Sequence, residues 1–197
     1  LLAQNFTTAT DSHNTAVGND AGKAVTTGVK NTLIGGLAGD ALTDADFNVA
    51  MGYAALTSDT LGSKSVAIGR TALSAQNFTT ATDTYNVAVG YDAGAAVTTG
   101  TLNTLIGGQA GDALTVGNNN VVVGYAALGS DTQGDRNVAI GGSALATQNF
   151  STSTDAYNVA IGFAAGLAVT TGNQNTLIGG LAGDALTVGY NNVTLGY

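Results

Sequence analysis

A five-residue motif returns along the chain at fixed steps and leaves little choice of fold. Asn31-Thr32-Leu33-Ile34-Gly35 recurs unchanged at 103–107 and 175–179. Looser copies begin at Asn14, Asn48, Ser65, Asn86, Asn120, Asn137, Asn158 and Asn192, making eleven in all. Successive copies start 17 residues apart, except at two steps of 21. Three steps of 17 and one of 21 close a superperiod of 72, and Asn5-Phe6, Asn77-Phe78 and Asn149-Phe150 keep the same beat. Such self-similarity overrides the expectation of one or two globular domains that 197 residues would otherwise carry. We read one repeat array over 1–197, with superrepeats 14–85, 86–157 and an incomplete 158–197. It starts and stops in mid-repeat, so the expectation is a fragment of a longer fibre.

Numbering each unit from its first residue, Gly holds the fifth place throughout and Ala the eighth in all ten complete units. Thr holds the thirteenth place of every 17-residue unit, as in Thr26, Thr43 and Thr60. Places two to four are short, apolar and largely β-branched, which favours strand. A helix is excluded, because glycines at this density cost about 1 kcal/mol each relative to Ala. The glycines at fixed offsets mark turns with positive φ or close backbone approach. The reading is an all-β parallel β-solenoid, or β-roll, of about eleven 17-residue coils stacked roughly 4.8 Å apart. The first-place Asn column can form an amide ladder along the stack.

Side chains alternate along a strand, so places two and four share one face and place three the other. Place three is apolar in ten of eleven copies, from Ala16 and Leu33 to Leu177. A strand apolar on both faces needs cover on both. We expect places two and four to fill the coil and the small third-place residues to pack against other chains near a symmetry axis. Self-association of the chain is expected on this ground.

Composition narrows the partners. Only 9% of residues are charged, all 13 acids are Asp, and the net charge is −8. Nucleic acid and anionic membrane both demand basic patches, so both are excluded as partners. There is no cysteine, hence no disulfide or thiolate chemistry. No apolar run approaches the roughly 20 residues that span a bilayer.

Ser65-Val66-Ala67-Ile68-Gly69 and Asn137-Val138-Ala139-Ile140-Gly141 resemble the repeat of the YadA-like head of trimeric autotransporter adhesins. Units such as Asn86 to Leu102 look like repeats of phage tail fibres and bacterial surface proteins that end in a self-cleaving chaperone domain. The resemblance covers essentially the whole chain. It implies a left-handed roll in the first family, three chains about one axis, and an extracellular place on a virion tail fibre or a bacterial cell surface. The longer repeat and the four extra residues in every fourth unit depart from the adhesin head.

Candidate chemistry is sparse. His13 is the one histidine and its counterparts are Tyr85 and Tyr157, so no catalytic triad can repeat; we expect no enzyme. Asp40 with Asp59, and Asp112 with Asp131, are the closest carboxylate pairs, which could hold Ca²⁺ or serve as glycosidase acids. Turn aspartates bonding their own backbone are the plainer reading, and neither a cofactor nor a metal is expected. The sixth place carries Tyr53, Tyr91, Tyr125, Phe163 and Tyr197 on alternate coils, suited to stacking on glycans or to packing between chains. The 21-residue units carry insertions, 76–85 and 148–157, in which Phe78, Asp83, Tyr85, Phe150, Asp155 and Tyr157 could contact a carbohydrate or matrix protein. The plainer alternative makes Phe78 and Phe150 plugs of a packed bulge. The thirteenth-place Thr column raises an ice-binding surface, although no Thr-x-Thr lattice accompanies it. The sequence therefore points to a rigid shaft or head of an attachment fibre. A direct glycan- or matrix-binding module and a polysaccharide-degrading enzyme are its alternatives.

Overall fold

The computed structural model describes all residues, 1–197, and contains no helix. Eleven three-residue strands fall on the repeated motif: Thr15–Val17, Thr32–Ile34, Val49–Met51, Val66–Ile68, Val87–Val89, Thr104–Ile106, Val121–Val123, Val138–Ile140, Val159–Ile161, Thr176–Ile178 and Val193–Leu195. They form one parallel sheet in chain order. Each pairs with the equivalent place of the next coil, Thr15 with Thr32 and Leu33 with Ala50 for example. Two further pairs join each insertion to the preceding coil, Gly62–Ser63 with Thr82–Asp83 and Gly134–Asp135 with Thr154–Asp155. The protein is thus an all-β parallel solenoid whose eleven strands span roughly 50 Å.

The strands are a minor part of what holds the stack. Of 113 backbone–backbone hydrogen bonds, only 22 run from one strand residue to another. Gly22 donates to Ala38, Ala24 to Asp40 and Thr26 to Thr43, so successive coils are joined around most of their circumference. The tight course of the coil comes from left-handed residues, and most are not glycine. The residue before each first-place position has positive φ in all eleven coils, from His13 at 48° to Lys64 at 64°. Place seven repeats this, as at Leu37 and Ala54. Bulky residues in this region are strained, at about 1–2 kcal/mol each. The ladder above and below over-determines the backbone there. At the fifth place glycine is required on two counts. Gly35 has φ 133°, and a Cβ added there would collide with the carbonyl of Gly52 one coil on.

The two strand faces lie the opposite way round from the sequence expectation. The third place points into the coil: Leu33, Ala50, Ala67, Ala88, Leu105, Val122, Ala139, Ala160 and Leu177 are all fully buried. Places two and four point outward and are only partly covered, with Met51, Ile106, Val121, Ile161 and Ile178 exposed. The physical reason is bore. A 17-residue coil has room for one inward column here, opposed by the ninth and twelfth places. The third and ninth places share that room. Leu33 fills the space beside Gly22 and Gly39, whereas Ala50 and Ala67 accompany Leu56 and Leu73. No coil carries Leu at both places. The eighth-place Ala column is buried as well, and with the third, ninth and twelfth places and Ala45 it makes one continuous core of 29 residues.

The Asn ladder is present and does two jobs. Asn31 Nδ2 donates to Ala45 O at 2.7 Å and so ties the start of its own coil to the end. Its Oδ1 accepts from the backbone N–H of Asn48 at 2.9 Å and so ties one coil to the next. Direct amide-to-amide bonds occur at some steps, as from Asn120 to Asn103 at 3.2 Å. These side chains are buried, where each unmade bond would cost about 1–3 kcal/mol.

Candidate functional site

Two aromatic columns border the outward face of the long sheet. One follows the strands at the sixth place; the other precedes them at the left-handed position. Between them lie the half-exposed Val, Thr and Ile side chains of places two and four.

In the sixth-place column Tyr53, Tyr91, Tyr125 and Phe163 are all more than half exposed, and Tyr197 ends the column. They stand on every second coil, roughly 10 Å apart. The intervening coils carry Arg70, Gly108, Gly142 and Gly180. Each ring leans back over the coil before it. A Cβ at Gly36 would lie 3.4 Å from Tyr53 Cδ2, one at Gly108 3.5 Å from Tyr125 Cδ2, and one at Gly142 3.6 Å from Phe163 Cδ2. The glycines therefore leave the rings room to lie along the rod. Where Arg70 replaces glycine, its Nη1 donates to Tyr91 Oη at 2.9 Å and its guanidinium sits 5.2 Å from the ring centre.

The other column was legible only in part. The sequence reading assigned Tyr85 and Tyr157 to the insertions. They belong to a run that also holds Lys30, Phe47, Lys64 and Arg136, each one residue before a first-place position. Cations and rings alternate along it: Lys30 lies 4.9 Å from the Phe47 centroid, Lys64 5.1 Å from Tyr85 and Arg136 5.6 Å from Tyr157. The positions read as loop because one residue between Gly-bearing turns shows no period by itself. Their signal was the fixed offset from the Asn column. Asp83 joins this column, bonded by Lys64 Nζ at 2.6 Å, and Lys64 also donates to Tyr85 Oη at 3.1 Å. Those two bonds raise the Lys64 pKa above its ordinary value, with Asp83 the larger cause. Arg136 pairs with Asp155 in the same way. His13 is exposed at the head of this column.

Phe78 and Phe150, expected among the contact residues, are instead buried, each only 7% exposed. They are plugs, and Thr79, Thr80 and Ala81 form the exposed tip of the first loop. Beneath each plug lies a buried polar frame that sequence reasoning missed. Asp59 Oδ1 accepts from Gly62 N at 3.1 Å and Phe78 N at 3.0 Å, and its Oδ2 from Gln76 Nε2 at 2.6 Å. Gln76 Oε1 accepts in turn from Asn86 Nδ2 at 2.8 Å. Asp131, Gln148 and Asn158 repeat the arrangement. The signal was available in the twelfth place, which is Val or Leu in most coils and Asp or Gln beside the insertions.

The carboxylate pairs do not assemble a shared site. Asp59 is consumed by its three donors, and Asp40 accepts from Thr57 Oγ1 at 2.6 Å. No group of three or more metal-ligating side chains occurs. Asp112 has its pKa raised, first by desolvation and less by the charge of Asp92. In the thirteenth-place Thr column most hydroxyls bond the next coil, Thr26 donating to Thr43 O at 3.2 Å and Thr115 to Thr132 O at 2.8 Å. They are thereby turned from a water-ordering role to a structural one.

Fold and surface define a class, the parallel β-solenoid repeat proteins. Beyond that class, no family model matches the chain, and none of the curated proteins or solved structures matches it either.

Proposed function

We propose that this chain is a structural segment of an extracellular attachment fibre, a stiff shaft or head that spaces or displays a binding tip. The owner is a phage tail fibre or a bacterial surface adhesin, and the working form is a homotrimer. The observation that carries the reading is the outward face of the long sheet. It presents Val, Ile and Met side chains over eleven coils, roughly 50 Å, with nothing in the chain to cover them. Contiguous exposed apolar surface of that extent marks an interface. Three copies can bury it against one another about a common axis. This replaces the third-place contact line expected from the sequence, since that column is spent on the core. Hydrogen bonding around the coils and a core filled by paired places suit a rod that resists bending and proteolysis. The resemblance of the repeat to adhesin heads and tail-fibre segments supplies the extracellular setting.

Sedimentation equilibrium of the purified chain tests the reading. A trimer is expected, and Ile106→Lys with Ile178→Lys on the outward face should dissociate it without loss of β signal in circular dichroism. A monomer at micromolar concentration overturns it.

A further inference from the structure

The sixth-place column carries a second role, which is independent of how many chains assemble. We infer that Tyr53, Tyr91, Tyr125 and Phe163 form a binding strip for a linear, uncharged polysaccharide lying along the rod. Three features of the strip select that ligand. The rings recur at every second coil, and roughly 10 Å is close to the length of two extended pyranose units. A chain of β-linked sugars, which presents the same face on every second ring, would meet a platform at each. The rings are also open: Gly36, Gly108 and Gly142 leave Tyr53, Tyr125 and Phe163 space to lean along the axis, and all four rings are more than half exposed, as stacking on the apolar C–H face of a sugar requires.

The flank of the strip supplies polar partners. Gln109 and Ser143 stand at the adjoining seventh place, partly exposed, and neither side chain makes a hydrogen bond within the chain. Sugar hydroxyls can take both. The column itself holds a single charge, Arg70, and that cation is engaged by Tyr91. An acidic polymer would therefore find no row of cations, and a net charge of −8 would repel it. Single-turn recognition of a short sugar is disfavoured as well, because none of the four rings lines a pocket and their contact area comes only from repetition.

Affinity electrophoresis in gels containing hydroxyethylcellulose, with titration of cellohexaose as the soluble probe, tests the assignment. Retardation of the wild-type chain is expected, and Tyr91→Ala with Tyr125→Ala should weaken binding about tenfold or more. Gly108→Lys, which leaves the rings in place but covers the strip, should weaken it too. Tyr85→Ala with Tyr157→Ala, on the opposite border of the sheet, should bind as wild type does. Sedimentation of every variant separates this outcome from oligomer loss. The assignment is overturned if the wild type is not retarded, or if the Tyr91/Tyr125 variant binds unchanged. It is equally overturned if the variant changes sedimentation in parallel with binding, which would place the rings between chains.

Discussion

Around the first insertion Ser65 Oγ and Thr84 Oγ1 share a hydrogen bond of 2.6 Å; around the second, Asn137 and Ala156 stand in their places. The two pairs have nearly the same total volume, and each completes the Asn ladder by a different route. Asn137 reaches back to Asn120 at 3.1 Å and accepts from Asn158 N at 3.3 Å, so the ladder runs through. Ser65 is too short to reach the coil beyond it. There Thr84 comes from the insertion itself, and Asn86 N donates to its hydroxyl at 3.4 Å. A second exchange accompanies the first. Ser63 of the preceding coil and Ala81 of the first insertion become Asp135 and Ser153 around the second, where Ser153 donates to Asp135 Oδ2 at 2.8 Å. The frame of Asp, Gln, Asn and Phe stays constant while its filling changes in pairs. Buried polar groups tolerate substitution when donor and acceptor change together, because only the orphaned group carries the full desolvation cost.

The largest effect should come from the shared frame. Asp59→Ala orphans two backbone donors and leaves the Gln76 amide with Ser65 Oγ at 2.9 Å, whereas Asp131→Ala orphans three backbone donors and the Gln148 amide. Each should cost about 3 kcal/mol or more in urea unfolding, and Asp131→Ala the more of the two. Equal losses would mean that the number of orphaned donors does not set the cost. Phe78→Ala and Phe150→Ala follow, at about 3 kcal/mol each for an emptied plug site, read as a drop in thermal midpoint and faster proteolysis at the loop tips. A surface role for either ring would instead leave both readings unchanged.

The pairing is sharpened by an exchange. Asn137→Ser alone should cost about 1–2 kcal/mol, and adding Ala156→Thr should restore most of it. Strict additivity of the two changes would sink the idea that they form one unit. Smallest is a difference one coil away. Asp40 has the Thr57 hydroxyl, whereas its counterpart Asp112 faces Gly129 and has its pKa raised by desolvation. A raised carboxylate pKa penalises the folded state above that pKa, and the penalty vanishes as pH falls below the unfolded value. Gly129→Thr should therefore stabilise slightly at pH 7. Part of that gain should disappear in melts run below the ordinary aspartate range, and a gain constant with pH would point to backbone entropy alone.

Much of the site was partly legible. The sixth-place aromatics could be read as a column because they recur at a fixed place, and exposure at Tyr125, 66%, agrees with an edge position. The cation–ring column was obscured because its members are chemically mixed, from Lys30 to Phe47 to Leu102, and share only a backbone conformation. The buried frame was hidden because Asp59 and Gln76 look like turn residues until the stack brings Phe78, Ser65 and Asn86 against them.

By itself the sequence determined the coil length, the register and the stacking. A motif of fixed spacing with obligatory Gly and Ala admits only one alignment of coil on coil, and a slip by one residue would turn every strand side chain over. Which face turned inward was left to the tertiary structure. Alternation separates place three from places two and four without saying which is inside. The bore decided it, because Leu33 and the glycines beside it fill the same volume as Ala50 with Leu56. With the third place inside, the apolar second and fourth places became the uncovered surface of the rod.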